Sequence, residues 1–546
     1  MSINMTDQDI QKIIQSVLQN IETAVSPQNN KQAEPNIKEK PEIVPIQMKR
    51  TTHITKEKPA EPPNRMLKFP GLVDPIQHRT KVSPNAAVSK HTSYMGVYEN
   101  MDDAIEAGYK AQIEYIREFQ MKDREKILEG IRTAILESKE DLAKMVLEET
   151  MLGRYEDKVA KHELAASKTP GTEDLKTDAF SGDAGLTIVE QAPFGLIGAV
   201  TPVTNPTETI INNSIGMLAA GNAVVFNVHP SSKRSCAFAV DLINKAIKKT
   251  GGPNGLVTMV KDPTLETMQE LIDSPKVKLL VGTGGPGLVK TLLKSGKKAI
   301  GAGAGNPPVI VDETADLEHA AKSIIEGASF DNNLLCIAEK ELFVVDSVAD
   351  DLIFNMLNNG AYMLDQEELR KVMSFALEEN VKQEARGCSL DNKREFHVSK
   401  NWVGKDAQAF LKQIGVNPPN DVKLLICEVD FDHPFVQLEQ MMPVFPIVRV
   451  PTLDEAIELA VLAEHGNRHT AIMHSRNVDH LTKFARRVET TIFVKNASSL
   501  AGVGFGGEGY TTMTIAGPTG EGITSARTFT RQRRCVLAEG GFRIIG

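Results

Sequence analysis

The chain has 546 residues, enough for two or three domains, and its hydrophobic content of 41% with a net charge of −9 is that of a globular protein whose main partner is not a nucleic acid. Five cysteines lie far apart, are odd in number and lack ligand-like spacing, so we expect a reducing cytosol, no disulfide framework and no metal site. No apolar run is long enough to cross a bilayer and the first residues show no secretory signal, so we expect a cytoplasmic protein with no membrane partner.

The N-terminal region predicts a short amphipathic helix on a long tether. Apolar residues recur at helical spacing between Thr6 and Ile21. The segment that follows, to Arg65, is rich in Pro, Lys, Glu and Asn and too polar to fold alone. We therefore predict a docking helix over 1–24 and a flexible, disordered linker over 25–92. A helix folded back onto the main domain is the alternative; the length of the linker favours docking into a partner's groove.

From about Tyr98 long helices appear, followed by short apolar strands that alternate with helices. The first strands are predicted at Leu196–Val200, Ala223–Val228, Leu256–Val260 and Val277–Val281, with helices such as Ser231–Ile247 and Thr264–Ile272 between them. This alternation predicts the α/β class, with a doubly wound parallel sheet that binds nucleotides at the carboxyl ends of its strands. A second αβ unit follows from Asn306, with strands at Val309–Val311 and Glu341–Val345.

Residues Gly282 to Gly287 (GTGGPG) follow the fourth strand and precede a helix predicted to begin near Leu288. The spacing matches the dinucleotide fingerprint, in which glycines allow the backbone to approach a pyrophosphate. The acidic residue expected about twenty positions later is missing, because the first is Asp312. A tight turn is the alternative, and phosphate binding is only modestly favoured over it.

Asn205 stands between two prolines just after the strand Leu196–Val200. An amide N–H at such a place can face developing negative charge and form half of an oxyanion hole. The alternative is an asparagine that caps the next helix, which is the commoner use of this residue type.

Cys336 lies behind two carboxamides in the stretch Ser329 to Ala338 (SFDNNLLCIA). A cysteine does covalent chemistry as its thiolate, so a nucleophile here needs nearby donors or positive potential to lower its pKa. The alternative is a buried cysteine that acts as a small hydrophobe. Later, Gly502 to Gly520 predicts loops near the site, and the arginine cluster Arg527 to Arg534 predicts a solvated or subunit-facing strand.

Together these motifs resemble the aldehyde dehydrogenase superfamily, and more narrowly its CoA-acylating branch from propanediol- and ethanolamine-type bacterial microcompartments. The resemblance covers about Tyr98 to Gly546. It rests on Val200 to Thr207 (VTPVTNPT), Asn333 to Cys336 (NLLC), His465 to Thr470 (HGNRHT) and Gly517 to Arg534 (GPTGEGITSARTFTRQRR).

The resemblance implies a Rossmann-like NAD domain over 93–300 with an oligomerisation hairpin near 175–192, a catalytic domain over 301–510, and site loops with a C-terminal oligomerisation strand over 511–546. It implies that Cys336 is the nucleophile and that Asn205 holds the oxyanion together with the backbone N–H of Cys336. The residues implied to contact the cofactor are Thr201, Pro202, Thr283, Gly284, Gly287, Glu439 and Asn227, with Glu439 on the nicotinamide ribose.

Two departures from the family pattern are informative. Hydrolytic members carry a glutamate about thirty residues before the cysteine, but Gly301 to Gly305 (GAGAG) has no acid. Without that base water attacks the thioester slowly, so thiolysis by coenzyme A is favoured over hydrolysis. The usual adenosine-ribose lysine is also replaced, with Asn227 as the closest match and His229 nearby, so NADP is not excluded as an alternative to NAD.

The implied function is NAD-dependent oxidation of propionaldehyde, acetaldehyde or lactaldehyde to the acyl-CoA, by a homo-oligomer (dimer or tetramer) inside a microcompartment. The N-terminal helix resembles in pattern the encapsulation peptides that dock cargo enzymes on shell or core proteins. A hydrolytic aldehyde dehydrogenase and an inactive scaffold of the same fold are the alternatives. The presence together of Cys336, Asn205 and Glu439 argues against the scaffold.

Overall fold

The computed structural model describes residues 94–386, 389–417 and 421–539. Its first half is built on a six-stranded sheet in which every strand pair is parallel. From edge to edge the strands are Val97–Tyr98, Val257–Val260, Ala223–Asn227, Leu196–Val200, Val277–Thr283 and Lys298–Ala302. The docking helix and linker predicted over 1–92 lie outside the described residues and stay predictions.

Helices cover this sheet, and its central strands are therefore apolar on both faces. Every residue of Ala223–Asn227 is buried, because Met101–Glu118 and Pro206–Ala219 both pack against it. The predicted strands and helices of this region are found, with ends that differ by a residue or two. The helices are Met101–Glu118, Met121–Glu137, Lys139–Thr150, Tyr155–Lys168, Pro206–Ala219, Lys233–Lys249, Leu265–Asp273 and Pro286–Lys294.

A seven-stranded sheet, also parallel throughout, forms the second half. Its strands in spatial order are Ala361–Met363, Leu424–Glu428, Val444–Val450, Glu341–Val345, Pro308–Val311, Thr470–His474 and Ile492–Lys495. The helices of this half are Leu317–Ser329, Asp346–Asn358, Gln366–Ala376, Ala407–Gln413, Pro434–Gln437, Leu453–Ala463 and Val478–Val488. The two strands predicted here are the two central ones, whose unbroken apolar runs are the clearest in the sequence.

Three small antiparallel sheets complete the described chain. Asp178–Gly182, Gly185–Pro193 and Thr530–Ala538 form one of them, so the arginine cluster lies largely on a strand paired with the predicted hairpin. The others pair Leu377–Arg386 with Ser389–Val398 and Ile515–Ala516 with Gly522–Ile523. Among the described residues no helix has both the length and the apolar character needed to cross a membrane.

The six-stranded sheet contributes to the site from its carboxyl edge, and the seven-stranded sheet contributes from its amino edge. Asn205 follows the carboxyl end of Leu196–Val200, whereas Cys336 precedes the amino end of Glu341–Val345. These two residues nevertheless line one pocket. The expectation that ligands gather at carboxyl ends of strands therefore holds for the six-stranded sheet, and the cysteine reaches the same place from the amino edge of the seven-stranded sheet.

Candidate active site

The segment that delivers Cys336 is held in a strained backbone conformation. Its residues Asp331, Asn332 and Asn333 have φ angles of 48°, 56° and 67°. This left-handed region costs a residue with a side chain about 1–2 kcal/mol, and aspartate and asparagine adopt it most readily. All three residues are buried, and the hydrogen bonds of their side chains offset the strain.

A buried lysine, Lys340, stabilises this segment through hydrogen bonds. The Nζ atom of Lys340 donates to the carbonyl oxygens of Asn333 at 2.9 Å and Leu335 at 3.2 Å, and to Asn333 Oδ1 at 2.5 Å. The Asn333 amide nitrogen donates in turn to the carbonyl oxygens of Ala328 and Glu339, both at 2.9 Å. Three acceptors take all three N–H bonds of an ammonium group, so the contacts suit the charged form of Lys340.

The Cys336 thiol is partly exposed, but its surroundings favour the neutral form. Burial, followed by the carboxylate of Glu439, raises the pKa of the thiol to about 12. Lys340 and the backbone N–H groups of Cys336 and Ile337 act in the opposite direction. The donors expected from the sequence are therefore present, but desolvation outweighs them in the protein without substrates.

This pKa predicts a pH profile for alkylation of Cys336 in the absence of cofactor. Because only the thiolate reacts, the rate with iodoacetamide is expected to rise about tenfold per pH unit up to pH 10 without a plateau. Glutathione in the same solutions, with an ordinary thiol pKa of about 8.5, should level off earlier. Mass spectrometry of the Cys336 peptide measures the rate, and a plateau below pH 9 would contradict the raised pKa.

Asn205 occupies the position before the helix Pro206–Ala219, but its side chain makes no capping hydrogen bond. Its Oδ1 accepts instead from Lys161 Nζ at 2.7 Å. Its Nδ2 has a long contact of 3.4 Å to Thr204 Oγ1. The capping alternative is therefore wrong for the side chain, and Asn205 lines the pocket that also holds Cys336.

Gly305, at the end of the stretch without acids, lies too close to its neighbours to carry a side chain. A Cβ atom added at Gly305 would lie 2.8 Å from the carbonyl oxygen of Cys336 and 2.9 Å from Cγ of His469, so no side chain fits there. The Gly305 N–H donates to the carboxylate of Glu439, whose pKa is raised by burial. Burial lowers the pKa of His469 to about 4, and its Nε2 has no hydrogen-bond partner among the described residues. A neutral imidazole therefore lies beside the cysteine backbone.

The pocket around Cys336, Asn205 and Lys161 is otherwise mainly apolar. The rings of Phe330 and Phe505 face each other across 5.5 Å between centroids. The other apolar residues that line it include Leu164, Leu335, Val503, Met513 and Ile515. Such a lining suits an alkyl chain, because a polar group placed there would lose its water. Part of the lining comes from the predicted loops of Gly502 to Gly520.

All the residues predicted to bind the cofactor except Glu439 lie at the carboxyl edge of the six-stranded sheet. Thr201 is buried beside the partly exposed Pro202, and its hydroxyl has no hydrogen-bond partner among the described residues. Thr283 Oγ1 contacts Thr514 Oγ1 at 3.0 Å, and the Gly284 N–H donates to the carbonyl oxygen of Ala302 at 3.0 Å.

The glycine turn in front of the helix Pro286–Lys294 is open. A Cβ added at Gly285 or Gly287 would meet no atom within 4 Å, so a large ligand can approach the backbone there. An unpartnered hydroxyl at Thr201 and an open backbone at a helix start fit a dinucleotide. The individual contacts of these residues with a cofactor stay predictions.

Asn227 is buried at the end of its strand and both ends of its amide are occupied. Its Oδ1 accepts from Thr267 Oγ1 at 2.7 Å, and its Nδ2 donates to the carbonyl oxygen of Thr264 at 3.3 Å. These bonds join the strand to the start of the helix Leu265–Asp273. A contact between Asn227 and a ribose stays a prediction, and it would require one of these bonds to be shared or broken.

Three buried lysines near the site were missed by the sequence analysis: Lys158, Lys161 and Lys340. Lys158 and Lys161 lie on one face of Tyr155–Lys168 with the buried Ala165, at positions where an apolar stripe would stand. That periodicity was the sequence signal of their burial, but lysines at such spacing are normally exposed to solvent. For Lys340, which follows Glu339 and precedes Glu341, the local sequence gives no sign of burial.

Residues 77–523 match the aldehyde dehydrogenase family. The acetylating acetaldehyde dehydrogenase of Salmonella typhimurium is 46% identical over 475 residues, which are 87% of this chain and 98% of that protein.

Solved structures of similar proteins share the fold. Propionaldehyde dehydrogenase from Rhodopseudomonas palustris, solved with bound CoA and an acylated cysteine, has a TM-score of 0.77 and 52% identity, and the match covers 81% of this chain and 98% of that one. A propionaldehyde dehydrogenase from the fucose utilisation microcompartment of Clostridium phytofermentans has a TM-score of 0.77 and 48% identity, with 82% and 99% of the two chains covered.

Proposed function

This chain belongs to the aldehyde dehydrogenase family, and on that premise we propose that it oxidises a short-chain aldehyde to its acyl-CoA with NAD as the hydride acceptor. Propionaldehyde, acetaldehyde and lactaldehyde are the candidate substrates. One observation carries the proposal: Cys336 and Asn205 share a mainly apolar pocket, while the position of the hydrolytic glutamate holds no acid and Gly305 has no room for a side chain. Two similar proteins support it. One is named an acetylating acetaldehyde dehydrogenase, and the solved structure of the other contains bound CoA and an acylated cysteine.

In this proposal each residue has a step. The Cys336 thiol gives its proton to solvent, its Sγ attacks the aldehyde carbon, a carbon–sulfur bond forms, and the carbonyl oxygen becomes an oxyanion. Nδ2 of Asn205 and the backbone N–H of Cys336 donate to that oxyanion. When NAD is bound it supplies the hydride acceptor, and the carbonyl then re-forms as a thioester on Cys336. The thiolate of CoA attacks this thioester and displaces the Cys336 thiolate, which takes up a proton and so restores the resting thiol.

Glu439 acts electrostatically on the cysteine, and we propose that it also contacts the cofactor. It is hydrogen-bonded by Gly305, and its charge raises the pKa of the Cys336 thiol. A contact with the nicotinamide ribose is proposed from the family resemblance. The presence of Asn227 in place of the usual lysine does not indicate whether the cofactor is NAD or NADP.

The lack of an acid in Gly301 to Gly305 favours thiolysis over hydrolysis, and the dependence of turnover on CoA tests this preference. NADH formation is expected to continue in steady state only when CoA is present, with at most one turnover per active site without it. Stopped-flow absorbance at 340 nm, with each aldehyde and with and without CoA, gives the burst and the steady rate.

Two results would contradict this proposal. Sustained turnover to the free acid without CoA would identify the hydrolytic alternative. Failure of every aldehyde to give NADH with CoA, from folded protein, would favour the inactive scaffold.

Localisation to a microcompartment is proposed on two grounds. One similar structure comes from a fucose utilisation microcompartment. The sequence of residues 1–24 also carries an apolar stripe at helical spacing, which would lie in a groove of a shell or core protein. Docking by so short a helix is weak per copy, so an oligomer that displays several copies would reinforce it.

A fusion of Met1 to Ala24 with a fluorescent protein tests this docking. In cells that make shells the fusion is expected to form puncta, because the stripe buries apolar surface on its partner. The matched control carries Ile14→Asp and Leu18→Asp, and its signal should be diffuse. Equal puncta from both fusions, or diffuse signal from both, would contradict docking through the apolar face.

The proposed homo-oligomer, a dimer or tetramer, has a surface suited to it. The three-stranded sheet of Asp178–Gly182, Gly185–Pro193 and Thr530–Ala538 exposes large apolar side chains: Phe180, Val536 and Leu537. Covering such side chains by another subunit would remove apolar area from water.

A further inference from the structure

Lys161 is a buried lysine that contacts both halves of the proposed catalytic apparatus. It lies on the helix Tyr155–Lys168 with 1% of its surface exposed and lines the pocket of Cys336. Its Nζ atom is 2.7 Å from Asn205 Oδ1 and 2.6 Å from Asp331 Oδ2, with Glu208 Oε1 at 3.1 Å. Asp331 opens the strained turn that leads to the cysteine.

These contacts fix the charge of Lys161. Burial disfavours an ammonium ion, but Asp331 and Glu208 outweigh it and raise the pKa of Lys161 above its usual value. Burial likewise raises the pKa of Glu208, and Lys161 with its neighbours more than reverses this, to about 2. The ammonium ion donates hydrogen bonds to Asn205 Oδ1 and Asp331 Oδ2 and forms an ion pair with Glu208.

The bond to Asn205 determines which end of the amide faces the substrate. An asparagine side chain can turn by 180°, and only one orientation presents an N–H donor to an oxyanion. If Oδ1 faced the pocket, its lone pairs would repel the developing charge. Because Lys161 donates to Oδ1, Nδ2 must point the other way.

We propose that Lys161 is a positioning residue for aldehyde oxidation, which orients the Asn205 amide toward the oxyanion and holds it in register with the Cys336 turn through Asp331. The inference rests on the proposed function, since it deepens the role of that same site. Lys161 makes no bond to substrate in this role and acts through Asn205.

Lys158 provides a matched control. It is also a buried lysine on the same helix, and its Nζ atom lies 3.2 Å from Asp331 Oδ2. It has no hydrogen bond to Asn205 among the contacts of the described residues. Lys158→Met therefore removes a buried cation from the same carboxylate and leaves the amide oriented.

A double-mutant cycle tests the proposal. Lys161→Met is expected to lower kcat about 10–10²-fold, more than Lys158→Met does, with similar loss of thermal stability in the two variants. In an Asn205→Ala background, Lys161→Met should lower kcat less than about twofold further, because the group it orients is gone. A general structural role would give the same factor in both backgrounds.

Lys161→Gln keeps an N–H donor and covers the case in which Lys161→Met does not fold. It should recover part of the lost activity, and whatever loss it causes should disappear in the Asn205→Ala background. Equal losses from Lys161→Met and Lys158→Met, or a Lys161→Gln loss that persists without Asn205, would overturn the proposal. Wild-type protein with no CoA-dependent turnover would instead overturn the proposed function, so the two failures are distinguishable.

Discussion

Replacing Cys336 with serine is expected to lower the turnover rate at least about 10³-fold while the fold is retained. The serine hydroxyl has a far higher pKa than a thiol, so even in this site it cannot supply a comparable anionic nucleophile. An ester on serine would also transfer its acyl group to CoA less readily than a thioester. Steady-state NADH formation with CoA measures the loss, and mass spectrometry after one turnover should show an acyl adduct in the wild type alone.

Cys535→Ser is the matched control for this substitution. Cys535 is exposed on the strand Thr530–Ala538, outside the pocket, and its replacement should leave kcat unchanged. Cys236 and Cys427 are buried elsewhere in the cores. If Cys336→Ser kept wild-type rates while Cys236→Ser or Cys427→Ser lost them, the nucleophile would be assigned to the wrong cysteine.

Much of the fold and the central pair of the site could be predicted from the sequence because their signals are local. The strand Leu196–Val200 is an unbroken apolar run and Glu341–Val345 is apolar after its first residue, which is what a strand buried on both faces requires. Asn205 and Cys336 each stand in a short distinctive motif, and the structure places both in one pocket. The lack of an acid at Gly301 to Gly305 was visible in the same way.

The buried charged groups around Asn205 and Cys336 could not be predicted, because burial of a charge depends on partners distant in sequence. Lys161 is buried only because Asp331 and Glu208 converge on it from other segments. The raised pKa of the Cys336 thiol has the same origin, since desolvation by the assembled pocket outweighs Lys340 and the backbone N–H groups of Cys336 and Ile337. The local sequence pattern points to Cys336 as the candidate nucleophile, and the packing around it determines the protonation state of its thiol.

Replacing Asn205 with alanine is expected to lower kcat by about 10²–10³, the usual cost of losing one oxyanion donor. In the proposed site its Nδ2 is the side-chain donor, because Oδ1 already accepts from Lys161. The KM for the aldehyde should change little, because a neutral carbonyl gains less from the donor than an oxyanion does. Saturating NAD and CoA isolate kcat, and thermal unfolding monitors the fold.

Asn205→Asp separates a catalytic role from a structural one. The aspartate keeps the shape of the side chain and can accept from Lys161, so the fold should be as stable as the wild type. It nevertheless places a carboxylate oxygen where Nδ2 stood, and like charges at the oxyanion should lower kcat at least as much as alanine does. Because the structure shows no capping bond from this side chain, the helix Pro206–Ala219 gives no reason for a loss in either variant. A loss of tenfold or less in Asn205→Ala, with an active Asn205→Asp, would show that the oxyanion is held elsewhere.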